Sequence, residues 1–297
     1  MTGKHRRCSL LLCWLALVVT PLPLFAQPVQ TLLDDSLSQW ETYLSYRHQE
    51  QYNGSQPTDA AGKPLAPLGL FPGLDPHGVF TLQQQGGETV LRVSGEIYGG
   101  LTTRQTFRNY RLTLQYRWGE KKWPPRLNKL KDSGILYHAN GPHGQEYFRS
   151  WMLSQELQIM QGHTGDYWQQ AHSAIDIRAF QPEGEMNAVA DETQPFLAAG
   201  RASGGPGFVL RKLNAEKPDN QWNTVELICF EGQSLHIVNG QVVMVLKNSR
   251  YQQDGRDIPM WEGKIQLQSE AAEVFYKNIR LQRLDKLPAQ YAGYFAE

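Results

Sequence analysis

Cysteine is nearly missing from the chain: there are three, and two of them, Cys8 and Cys13, fall in an N-terminal stretch that reads as an export signal. Losing that stretch would leave Cys229 alone, which rules out an intramolecular disulfide in the mature protein. Cys229 lies in VELICF and alternates with Val225 and Leu227, the pattern of a buried apolar thiol. Charge of one sign is missing too, since 29 basic residues meet 29 acidic ones. Without a basic excess, nothing recruits a nucleic-acid partner. The apolar run Leu10 to Val19 sits behind Lys4, Arg6 and Arg7 and ahead of the small Ala26. It is too short and too close to the terminus for a membrane span. A signal cleaved before Gln27 is the better reading, so residues 1–26 are assigned to it. Cleavage leaves 26 basic against 29 acidic residues, a formal charge of −3. The expectation is a periplasmic or secreted protein with no membrane attachment after cleavage. Long helical periods and internal repeats are also lacking. So are a phosphate loop between strand and helix, a serine nucleophile elbow and a paired-cysteine motif.

What is present is a series of short alternating runs with turn signals between them, as all-β proteins show. Tyr110 to Trp118 alternates best: Leu112, Leu114, Tyr116 and Trp118 face one side, and Arg111, Thr113, Gln115 and Arg117 the other. Asn239-Gly240 between two runs is a strong type I′ hairpin signal. Two stretches rich in glycine and proline, Glu41 to Gly78 and Gln181 to Gly207, read as surface insertions, with Tyr43, Tyr46 and Tyr52 packing back onto the domain. The tail after Leu287 reads as a surface extension, and Lys121 to Lys131 as a solvated basic rim. About a dozen strands with one apolar face each predict an all-β fold, two antiparallel sheets packed as a sandwich in one domain over residues 27–297.

The stretch Asp132 to Trp168 concentrates chemistry. Leu157 and Ile159 point one way while Glu156 and Gln158 point the other. In the preceding run Ile135 and Tyr137 share a face, and Leu136 and His138 share the opposite one. Four of the eight histidines, His138, His143, His163 and His172, fall in this neighbourhood. Arg117, His138, Glu156, Gln158, Gln266, Gln268 and Glu270 all lie on the polar side of their strands. Ordinary solvated faces look the same. On a curved sheet, however, they gather into one groove suited to a polyhydroxylated ligand, with Trp151, Tyr167 and Trp168 offering flat surfaces to sugar rings.

Several pieces in order resemble the 3-keto-disaccharide hydrolase domain family, which has the concanavalin A-like jelly-roll fold. They are Asp34-Asp35 with Trp40, Gly99-Gly100-Leu101-Thr102-Thr103, Tyr110-Arg111-Leu112 and Tyr116-Arg117-Trp118. Asp132-Ser133-Gly134-Ile135, Glu156-Leu157-Gln158-Ile159 and Gln221-Trp222-Asn223 follow. The Asn239-Gly240 hairpin, Gly263-Lys264-Ile265-Gln266-Leu267-Gln268 and Asn278-Ile279-Arg280 complete the set. The resemblance implies a secreted or periplasmic protein acting on 3-keto-glycosides, with an upstream glycoside 3-oxidoreductase supplying them. A C3 ketone acidifies the C2 hydrogen, and the C1 oxygen lies β to the carbonyl. Elimination then needs a base and a group holding the enolate oxygen.

Glu156 and His138 are the candidate bases, with Arg117 or a metal ion beside the enolate. Gln158, Trp151, Tyr167, Trp168 and Gln268 join Arg117 as candidate sugar contacts. No cofactor is required by the sequence; a divalent metal would find suitable ligand types in His138, Glu156, His163 and Asp166, though at no recognised spacing. A two-carboxylate glycosidase is disfavoured, because Gln158 and Met160 occupy the places beside Glu156 where a second acid would sit, although Glu270 offers one from another strand. The rival from another class is a non-catalytic sugar-binding module of the same fold.

Overall fold

The computed structural model describes residues 27–50, 55–72, 75–145 and 150–296. The expected signal and Tyr52 lie outside the described residues. Alternation is what builds the rest: each strand offers one apolar face, and two antiparallel sheets bury those faces against each other. One sheet runs in the order Gly69–Phe71, Trp40–Leu44, Gly99–Thr103, Glu262–Ser269, Asp132–Asn140, Leu153–Met160, Tyr167–Gln170 and Phe208–Leu210. The other runs Phe80–Gln85, Glu88–Val93, Ala272–Arg283, Tyr110–Lys122, Asn223–Phe230, Gln233–Val238, Gln241–Gln253, Ser173–Phe180 and Phe196–Ala199. Ser173–Phe180 also pairs at its end with Ala188–Ala190 and so joins the two. This is the expected all-β jelly-roll sandwich.

Leu112, Leu114 and Tyr116 from one sheet meet Ile135, Tyr137, Leu157, Ile159, Ile265 and Leu267 from the other in one apolar cluster. Burying each such side chain is worth roughly 1.5–3 kcal/mol, so this cluster fixes the register of the strands that carry the polar residues on their other face. Asn239 and Gly240 form the two-residue hairpin loop with φ of 48° and 81°, as a type I′ turn requires. Cys229 is buried, as its alternation predicted.

Two sequence expectations change. Glu41 to Gly78 is not wholly irregular, because Trp40–Leu44 pairs with Gly99–Thr103 and with Gly69–Phe71. Tyr43 and Tyr46 are buried there. Gln181 to Gly207 contributes two short strands, whose Ala188, Ala190 and Ala199 join a second apolar cluster around Ile175, Ile177 and Leu246. The C-terminal tail after Leu287 lies at the surface as expected, with no buried residue in Ala289–Phe295. Leu287, Tyr291, Tyr294 and Phe295 cover an apolar patch of Ile228, Leu235, Ile237 and Val245, and Arg178 Nε donates to the Tyr294 carbonyl at 2.8 Å. Among the described residues no helix is long and apolar enough to cross a membrane.

Candidate active site

Register carries the polar residues to one place. Glu156 has Leu136 and Trp168 as cross-strand neighbours, Gln158 has Gly134, and Asp132 bridges to Glu270. With the apolar residues of these strands turned to the core, the others converge on a hollow of about 100 Å³. Its walls are Arg126, Asp132, Glu156, Gln158, Gln170, Gln268 and Glu270, with Trp151 and Trp168. Trp151 is buried and stacks on Tyr98 at 6.1 Å between ring centroids, whereas Trp168 is 39% exposed and leans on Phe208. One indole belongs to the floor and the other to the rim.

A single guanidinium serves the acids. Arg126 forms an ion pair with Asp132 and another with Glu270 at 2.7 Å. Burial acts to lower the Arg126 pKa, but the Glu270 and Asp132 carboxylates more than offset it, and the net direction is upward. Asp132 Oδ1 also accepts from Gln158 Nε2 at 2.9 Å. Burial, and then repulsion from Glu270, hold Asp132 well above the usual carboxyl range despite Arg126. Glu156 is pushed well above that range by the same two causes in the same order, against a hydrogen bond that Gln170 Nε2 donates to its Oε2. The hollow therefore holds a carboxyl group that exchanges a proton at higher pH than a solvated one.

Gly134 makes room for it. A Cβ there would lie 2.2 Å from Glu156 Oε1 and 2.4 Å from Gln268 Oε1. Both atoms are side-chain ends, so Gly134→Ala is expected to leave the fold standing and to displace the carboxyl group. A misplacement of about 1 Å is worth about 10² in rate. The expected result is thus a kcat loss of about 10², with a melting temperature within a few degrees of wild type; unchanged kcat would mean that the Glu156 position is not critical.

Gln158 Oε1 and Gln268 Oε1 are buried with no hydrogen-bond partner, although both residues line the hollow. An unpaired buried acceptor costs roughly 1–3 kcal/mol. Two of them on one wall suit a ligand that brings hydroxyl donors.

Not every expected residue arrives. His138 was placed on the Leu136 face, but the pairing shifts on both sides of it, between Leu153 and Gln155 and between Lys264 and Gln266. With φ of 52° its ring turns to the core and packs edge-on against Tyr137 and Tyr110. Burial lowers its pKa to about 3, and its Nδ1 is 3.5 Å from Ser249 Oγ. His138 is neutral and away from the hollow. Arg117 is on the outer face of the opposite sheet, over the rings of Trp222 and Phe275. Tyr167 pairs with Leu157 and so faces the core, its hydroxyl donating to Gln155 Oε1 at 2.8 Å. Gln266 is buried on the polar side but is occupied with Thr102. The four candidate metal ligands do not meet: His163 and Asp166 pair with each other at 3.0 Å and with Arg211, apart from Glu156 and His138. Among the described residues no group of three or more histidine, cysteine or acidic side chains is arranged to hold a metal ion.

Arg126 and Gln170 were missed. Arg126 sits in the basic loop read as a solvated rim, where no periodicity marks an inward side chain. Gln170 ends the four-residue strand Tyr167–Gln170. The legible signal for it was its two-residue offset from Trp168, which stands opposite Glu156.

Solved structures of similar architecture include a Parabacteroides distasonis protein that carries the provisional name glycosyl hydrolase, at 16% identity and a TM-score of 0.41 over 70% of this chain and 85% of that one. A Bacillus licheniformis β-glucanase gives 11% and 0.37 over 88% and 99%. A carbohydrate-binding module of family 66 from Bacillus subtilis gives 7% and 0.36 over 68% and 91%. Likeness at this level carries no argument about what the chain does. No curated protein matches it in sequence. The model of the 3-keto-alpha-glucoside-1,2-lyase-like domain, however, matches residues 28–282, and the chain belongs to that carbohydrate-related family.

Proposed function

We propose that the protein cleaves glycosides whose C3 is already a ketone, by elimination across C1 and C2. The Glu156 carboxylate takes the C2 proton. The C–H electron pair becomes the C1=C2 bond, the bond from C1 to the glycosidic oxygen breaks, and the aglycone leaves with that pair and takes up a proton. Water adding afterwards completes a net hydrolysis. Arg126, held by Asp132 and Glu270, lines the same hollow and supplies the positive group for the developing enolate oxygen, where preorganised charge acts most strongly. Gln158 and Gln268 accept from sugar hydroxyls, and Trp151 and Trp168 flank the ring. The observation that carries this reading is the buried Glu156 carboxyl group, raised in pKa and facing a hollow lined by orphaned amide oxygens and one guanidinium. A general base works best with a pKa near the working pH.

The reading includes export through the N-terminal signal and an oxidoreductase upstream that makes the ketone. The test is aglycone release from a 3-keto-glucoside labelled with deuterium at C2, beside the unoxidised glucoside. Release from the keto compound alone, with a primary isotope effect or wash-out of label, is expected. Equal release from both compounds would overturn the elimination. Binding without release would make the protein a sugar-binding module.

A further inference from the structure

A second hollow lies at the far end of the strand that begins at Asp132. Asn140 ends that strand, four residues of rise or about 13 Å beyond Leu136, the cross-strand neighbour of Glu156. Around it are Arg108, Tyr251, Pro259, Trp261 and Glu262, enclosing about 230 Å³. The residues come from different parts of the chain, and the frame that holds them is firm. Glu262 pairs with Arg108 across the ladder, and Asn140 Nδ2 donates at 2.8 Å to both the His138 and Glu262 carbonyls. Gly232 seats the indole, since a Cβ there would lie 2.3 Å from Trp261 Nε1.

We propose that this hollow is a carbohydrate-binding site separate from the cleavage site, taking a neutral pyranose unit of an oligo- or polysaccharide. Its size is below the roughly 300 Å³ at which pockets for drug-sized ligands begin, the scale of a single ring. An indole, a phenol and a proline ring give apolar surface for the C–H face of a sugar. One cation and one anion, Arg108 and Glu262, leave the site without net charge, which suits a neutral ligand over a phosphate or an acidic peptide. The Arg108 guanidinium lies 5.6 Å from the Trp261 ring centroid and makes no ion pair among the described residues, so its five N–H donors remain for hydroxyl groups. The two hollows share no lining residue, so each can hold its own sugar unit. The second site therefore anchors the protein to a larger glycan while the first acts on a chain end.

The full chain, run in native gels containing soluble starch, xyloglucan or mixed-linkage β-glucan, is expected to be retarded by at least one of them. Trp261→Ala and Arg108→Ala are expected to weaken that retardation tenfold or more. Both should cleave a small 3-keto-glucoside within twofold of wild type, and Glu156→Gln should keep wild-type retardation. Arg108 is exposed and tests the site even where loss of the indole disturbs the fold. Three outcomes would each overturn the proposal: no retardation by any of the three polysaccharides, wild-type retardation in both variants, or retardation abolished by Glu156→Gln. Because the readout is binding of unoxidised glycans, it stands or falls apart from the 3-keto chemistry.

Discussion

Glu156→Gln is expected to lower kcat/KM for a 3-keto-glucoside by about 10³-fold, within the 10²–10⁴ that positioned proton transfer contributes. The amide has the shape of the carboxyl group and can still accept from Gln170, but it cannot take a proton. In wild type the base must be ionised, so kcat/KM rises with pH through the Glu156 pKa. That acid limb lies above the ordinary carboxyl range, because burial and Glu270 both disfavour the charge. The residual activity of the variant should lack the limb.

Unfolding does not explain the loss, and the linkage shows how to prove it. A carboxyl pKa raised on folding means that the native state binds more protons than the unfolded one between the two values, so stability falls as pH rises through that window. Removing the titration relieves this cost. The variant is therefore at least as stable as wild type at pH 8, and its advantage fades towards pH 4. Melting temperatures at the two pH values measure it, and about 1 kcal/mol moves a domain of this size by roughly 2–4 °C. A variant that is inactive and also much less stable at pH 8 would return Glu156 to a structural role.

Much of the site could be read from alternation alone. Glu156, Gln158, Gln268 and Glu270 fall on the polar side of their strands, and two strands, Leu153–Met160 and Glu262–Ser269 with the residue that follows it, bring them to one hollow. Period-two reasoning succeeds wherever the ladder is regular. It fails at His138, because one shifted pairing on each side reverses the parity of everything past it. It fails at Arg117 for another reason: both sheets have a polar face, and alternation does not say which sheet a strand joins. The Ala272–Arg283 strand beside Arg117 settles that, since Phe275 lies opposite it on the outer face. Arg126 was beyond such reasoning. Its position depends on the path of a loop, and only the pairing of Asp132 with Glu270 makes a place where a guanidinium is needed.

Arg126→Met is expected to destabilise the protein strongly. The thioether chain replaces the stem of the arginine and deletes only the charge. Asp132, raised by burial and by Glu270, then loses the largest of the effects that oppose them. Breaking a buried pair by removing one partner costs about 3–5 kcal/mol, here a fall of roughly 10 °C at pH 8. The sign with pH follows from the same linkage. The folded-state pKa of Asp132 moves still further above its unfolded value, so the variant binds more protons when native and regains stability as pH falls towards 5. A deficit that stays constant between pH 5 and pH 8 would mean that Arg126 acts through packing, not charge. Arg126→Lys separates its two uses. A lysine keeps a positive charge near Asp132 and Glu270 and should recover most of the stability. It lacks the further N–H donors that arginine keeps once its Nη2 holds both carboxylates, so cleavage should stay far below wild type.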